Sequence, residues 1–124
     1  MNQILVIAAG GALGALFRFW VSGMTYAAFG RDFPYGTLMV NVTGSLLIGL
    51  FYVLLIEKLP DTHLLRMFVL IGVLGAFTTF STFTMETFTL FEQGAYIKVV
   101  ANIFASVSLC LIATWFGVVV GRQL

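Results

Sequence analysis

The apolar positions of this chain fall into four long runs separated by short polar intervals. The runs cover roughly residues 3–29, 36–57, 64–91 and 95–121. Each is long enough to cross a hydrocarbon core of ~30 Å, which takes ~20 residues of helix. Backbone groups in lipid must be paired within the chain, so the runs are expected to be helices. The expected fold is an all-α integral membrane protein, a single domain over residues 1–124, with four transmembrane helices joined as hairpins. The first run has no basic residue ahead of it and is interrupted by Arg18, so it reads as a retained helix and not a cleaved signal.

Polar residues recur within the runs at i, i+4, a spacing that puts them on one helix face. The second run carries Thr37, Asn41 and Ser45, and the fourth Asn102, Ser106, Cys110 and Thr114. In the third, Thr78, Thr82 and Glu86 line up, with Ser81 beside them. An amide or carboxylate at bilayer depth is costly and usually faces a bundle interior or a wet cavity. Hydroxyls say less, because Ser and Thr can bond back to their own helix. Asn41 offers two N–H donors, suited to an anion or to an interhelical bond. Glu86 is the one acid expected within a span; accepting from hydroxyls, titrating and reaching for the interface are all open to it. Arg18 is equally suited to drawing anions into a vestibule and to pairing with carbonyls or lipid phosphate.

The third run differs from the others. Gly72 and Gly75 precede Phe77-Thr78-Thr79-Phe80-Ser81-Thr82-Phe83-Thr84, in which aromatic rings alternate with hydroxyls. A phenyl ring has a negative face and a positive edge, so a ring edge can sit beside a small anion. At about 28 residues the run exceeds what a straight crossing needs. A break near its middle, at Gly75 and Ala76, would free backbone carbonyls able to hold a cation. A long tilted helix is the alternative.

Composition and charge narrow the classes. The chain is 60% hydrophobic and 9% charged, with a net charge of +1 and a mean hydropathy of +1.07. That leaves no soluble domain and no nucleic-acid partner. The single Cys110 has no internal disulfide partner. Lys58, Arg66 and Arg122 fall on the side that holds the N-terminus, and Arg31 and Lys98 on the other. So small a bias chooses no orientation. Either a weak excess fixes the topology, or copies insert both ways and pair as antiparallel dimers. Four helices have little interior to spare, so a polar path is expected between subunits. Gly10 and Gly14, with Gly44 and Gly49, offer small-residue faces for close helix contacts.

The stretch Gly75-Ala76-Phe77-Thr78-Thr79-Phe80-Ser81-Thr82-Phe83 closely resembles the third-helix signature of the bacterial Fluc (CrcB) fluoride channels. Gly36-Thr37-Leu38-Met39-Val40-Asn41 is similar to the start of that family's second helix, and Gly10-Gly11-Ala12-Leu13-Gly14 followed by Arg18 to its first. The resemblance spans the whole chain. It implies an antiparallel, dual-topology homodimer in the bacterial inner or plasma membrane, with two pores that pass fluoride passively and confer fluoride resistance. It implies that Phe80 and Phe83 present ring edges to fluoride and that Asn41 donates to it. Thr37, Ser81, Thr82 and Glu86 would belong to or border the polar track. Arg18 would face a vestibule, and Ser106 and Thr114 would lie further along the pore. It also implies a structural sodium ion at the dimer centre, held by main-chain carbonyls of Gly75 and Thr78 from both subunits. At Cys110 a thiol stands where the family carries a hydroxyl. Two other readings fit four short helices: a small multidrug-type proton antiporter, which wants an acid deep in a span, and a non-transporting accessory subunit. No ATP-binding motif or constellation for covalent catalysis appears, so no enzyme is expected, and His63 reads as a solvated loop residue.

Overall fold

The computed structural model describes residues Met1–Leu124. Four helical spans, Asn2–Phe29, Tyr35–Lys58, His63–Glu92 and Tyr96–Gln123, are each long and apolar enough to cross a membrane. The protein is all-helical and multi-pass, as the four apolar runs predict. Gly30 ends the first span with φ 84° and donates its N–H to the Tyr26 carbonyl at 2.8 Å. Gly94, with φ 74°, turns the chain ahead of the fourth span. Glycine alone reaches these values without strain.

Lipid tails are as apolar as leucine, so the spans are held by close packing and not by a hydrophobic drive between them. Glycines make the closest approaches. A Cβ on Gly10 would lie 2.5 Å from the Phe68 carbonyl, and one on Gly14 would strike the Val73 carbonyl. These contacts seat the first span against the start of the third. Gly117 meets the Leu46 carbonyl in the same way and seats the fourth span against the second. Val40, Val53, Leu55, Leu74 and Phe77 fill the thin core between these seams. On the side holding the chain ends, Arg122 pairs with Glu57 at 2.9 Å. On the opposite side, Lys98 Nζ donates to the Asp32 carbonyl at 2.9 Å.

The third span is not one uniform helix. After one α-helical turn, His63–Arg66, the chain winds as a π-helix over Met67–Leu74 and returns to α over Gly75–Phe77. Thr78 (φ −81°, ψ 155°) and Thr79 (φ −150°, ψ 118°) are extended, and a second α-helical limb follows over Phe80–Glu92. Gly75 itself is helical, with φ −62° and ψ −37°. The backbone leaves the helix three residues later than the glycine suggests, at two β-branched residues that favour extended geometry. One expectation changes with it. Thr78 and Thr82 do not share a face, because Thr78 and Thr79 are themselves extended and shift the helical phase ahead of Thr82; the two line different cavities.

Replacing Gly117 with Leu drives a side chain into the second span's backbone and is expected to cost at least ~1–3 kcal/mol. Gly11, where a Cβ meets nothing within 4 Å, accepts the same change with little effect. Denaturant titration of both variants in detergent checks this; equal loss in the two would show that the seam carries no weight.

Candidate functional site

The site begins with one amide. Asn41 Nδ2 donates to the Thr79 carbonyl at 2.9 Å, and Thr79 N–H donates to Asn41 Oδ1 at 2.8 Å. A primary amide carries an acceptor and an N–H donor side by side, so it satisfies the N–H and the carbonyl of the extended Thr79 together. Unpaired main-chain groups at bilayer depth each cost several kcal/mol, roughly. Asn41 therefore makes the extended backbone tenable. It keeps its second N–H.

Thr79 then starts the second limb. Its Oγ1 accepts from Thr82 N–H at 3.2 Å as an N-cap and donates to Thr82 Oγ1 at 3.0 Å. These bonds have a consequence four residues upstream. In a continuous helix Thr79 N–H would serve the Gly75 carbonyl, and Thr82 N–H the Thr78 carbonyl. Both donors are turned elsewhere, one to Asn41 and one to Thr79 Oγ1. The Gly75 and Thr78 carbonyls are thus left with free acceptor capacity beside the same cavity.

That cavity, about 460 Å³, lies between the second, third and fourth spans. Asn41, Phe80, Phe83 and Ser106 line it with Gly75 and Thr78. The Phe80 and Phe83 rings sit with centroids 5.5 Å apart, tilted by 41°. Phe83 is buried, whereas Phe80 is 75% exposed on the single chain. Cys110 also faces this cavity. Ser106 is buried, and its hydroxyl donates weakly to Asn102 Oδ1 at 3.4 Å. Asn102 Nδ2 in turn donates to Thr87 at 2.9 Å, which ties the fourth span to the second limb.

A second cavity of about 340 Å³ lies behind Thr79 and holds Arg18, Ser22, Thr37 and Thr82. Thr79 lines both cavities and separates them. Thr37 donates to Glu86 Oε1 at 2.7 Å, so these two expected residues do meet. Ser81 lies near the Thr79 hydroxyl at 3.4 Å and is exposed. Thr114 stands apart from both cavities and donates to the Ser45 carbonyl at 3.1 Å. The expected residues therefore fall into two groups on either side of Thr79; Glu86 joins the second through its bond with Thr37, and Ser81 and Thr114 line neither cavity.

Residue patterns passed over the first span. Arg18, Ser22 and Tyr26 recur at i, i+4 and i+8, the same spacing that marks the other three spans. All three line the second cavity. Thr79 was visible within the signature, but its pairing with Asn41 was not, because 38 residues separate the two.

Changing Asn41 to Ala removes both bonds to Thr79, at ~1 kcal/mol or more for each. Changing it to Asp keeps an acceptor for Thr79 N–H and loses only the donor. Hydrogen exchange followed at Thr79 is expected to speed up sharply in the Ala variant and little in the Asp variant; similar protection in all three proteins would dissociate the amide from the extended backbone.

Comparison with known proteins places the chain in a family. The family described as CrcB-like protein, Camphor Resistance (CrcB), matches residues 5–118. The "Fluoride-specific ion channel FluC" of Methylococcus capsulatus is 51% identical over 122 residues; the match covers 98% of this chain but only 54% of that protein. Proteins of the same name from Coxiella burnetii (strain Dugway 5J108-111) and Geobacter sulfurreducens are 46% and 48% identical, over the full length of both partners. The third-span signature, the length of the match and its level of identity agree, and this chain belongs to the CrcB family.

Proposed function

We propose that this protein is a passive fluoride channel, not an enzyme, that lets fluoride leave the bacterial cytoplasm across the inner or plasma membrane and so confers resistance to it. The observation that carries the reading is the cavity where Asn41 and the Phe80 and Phe83 rings converge beside the extended Thr78–Thr79 backbone. The names of the relatives support fluoride as the ion. Hydrogen fluoride crosses membranes neutral and dissociates in a less acidic interior. The trapped anion then leaves down the membrane potential, at about 2.3 kcal/mol per charge per 100 mV. The chemistry of the lining suits a small, weakly held anion. Ring edges offer partial positive charge without a full cation, and the free N–H of Asn41 offers one donor. Thr37, Ser81, Thr82 and Glu86 border the polar track, with Arg18 at a vestibule. Ser106 faces the phenyl-lined cavity, and Thr114 lies further along the second and fourth spans.

The working unit in this reading is an antiparallel homodimer of dual topology with two pores. Its support is what one chain leaves uncovered at bilayer depth: Phe80, together with the hydroxyl residues Ser81 and Thr82. A second copy covers them and completes each pore. A structural sodium ion at the dimer centre fits the donor set. Hard cations favour oxygen ligands, and carbonyls of unwound membrane helices hold sodium in other membrane proteins. The Gly75 and Thr78 carbonyls have lost their helical donors to Asn41 and Thr79. When bound, the ion supplies a positive charge that draws the two interrupted spans together.

Fluoride and chloride efflux from liposomes, measured side by side without a proton gradient, tests the reading; rapid fluoride release with retained chloride is expected. Phe80→Ile and Phe83→Ile keep bulk and lose the ring edge, and each is expected to slow fluoride about tenfold, the factor worth ~1.4 kcal/mol. Wild-type vesicles that hold their fluoride would defeat the proposal, and unchanged flux in both variants would remove the rings from it. Tags at the chain ends are expected to be accessible from both membrane faces, whereas labelling from one face only would exclude dual topology.

A further inference from the structure

A third cavity, of about 400 Å³, opens on the side away from the chain ends, between the 30–34 turn and the end of the third span. Arg31, Asp32, Glu86, Gln93 and Lys98 give it a polar lining. It touches the second cavity along one seam. Tyr26 and Arg31 line both, Glu86 faces the outer one, and Thr37 faces the inner one. Across that seam, Glu86 accepts from Thr37 at 2.7 Å and from the Tyr26 hydroxyl at 3.3 Å to Oε2 and 3.4 Å to Oε1.

Two further contacts hold the Tyr26 ring in place. The Arg31 guanidinium lies over it, 4.5 Å from the centroid, within cation–π range. The Cδ2–Cε2 edge of the ring is seated at Gly36, where a Cβ would strike Tyr26 and come within 2.7 Å of the Ser22 hydroxyl. Thus a cation over the ring, a missing side chain at its edge and an acid at its tip fix one phenol in the wall between two polar cavities.

We propose that Tyr26 is a positioning residue for permeation: its hydroxyl keeps the Glu86 side chain turned toward Thr37, out of the passage between the outer and inner cavities. This rests on the fluoride-channel reading. The alternative positions of Glu86 are defined by its neighbours. Released from Tyr26, its carboxylate can pair with Arg31, which lines the same outer cavity. That pairing would cancel a charge that draws anions inward and set a negative group across their path. Tyr26 acts in this scheme through Glu86 and not through contact with the ion.

Unitary fluoride currents in planar bilayers test the proposal, because a defect in folding lowers the number of channels and leaves the current through each intact. Tyr26→Phe is expected to lower the unitary current about fivefold, the effect of losing one hydrogen bond of ordinary net strength. In a Glu86→Gln background, where no charge is left to position, the same change is expected to alter the current less than about twofold, the non-additivity of residues that act as a unit. An unchanged unitary current in Tyr26→Phe overturns the proposal, as does an equal fractional loss in both backgrounds. Wild-type protein that passes no fluoride overturns the channel reading and this inference with it, whereas failure of the Tyr26 arms alone leaves that reading standing.

Discussion

A membrane-spanning helix can leave its hydrogen-bond ladder only where something else satisfies the peptide groups, and here that something is the side chain of Asn41. Its amide meets the Thr79 N–H and carbonyl together. An apolar side chain could serve neither. With that pairing in place, two residues can extend in the middle of a long apolar span. The cavities on either side of Thr79, the N-cap of the second limb and the free carbonyls of the first all follow from it.

The same extended pair produces opposite chemistry on its two sides. Upstream, the Gly75 and Thr78 carbonyls lose their donors and present negative ends. Downstream, the limb Phe80–Glu92 begins, and the opening N–H groups of a helix carry partial positive charge. Phe80 and Phe83 stand on that positive side, with Asn41 opposite. One interruption therefore supplies an environment for a cation and one for an anion within a few residues, without a charged side chain at either. In low-dielectric surroundings this is the less costly arrangement, because dipoles do not carry the desolvation penalty of an ion.

The packing accommodates this arrangement. Glycines bring the first span to the third and the fourth to the second, so that each pair is joined backbone to backbone. Little of the chain is then needed for a core, and much of its polar and aromatic surface remains outward. Arg18, Ser22 and Tyr26 add a polar stripe from the first span, which joins the Thr37–Glu86 pair to two cavities with arginines in their walls. No side-chain nitrogen or oxygen that is buried lacks a partner, as polar groups at bilayer depth require.

Much of this could be read from the order of residues. Four apolar runs dictate four helices, because only helices pair their own backbone in lipid. The alternation of rings and hydroxyls after Gly75 marks the third span as the unusual one, and the i, i+4 spacing of Thr37 with Asn41 puts both on one face. Side-chain type and local period are properties of the chain itself, so these features needed no fold. Three things did need it. The backbone leaves the helix at Thr78 and Thr79 and not at the glycine, where the Asn41 amide meets the N–H and the carbonyl of Thr79. Thr78 and Thr82 part company at the same place. Tyr26 gains its place only when Gly36, Arg31 and Glu86 arrive around it from three other segments. Each depends on contacts between residues far apart in sequence, whose geometry no local pattern carries.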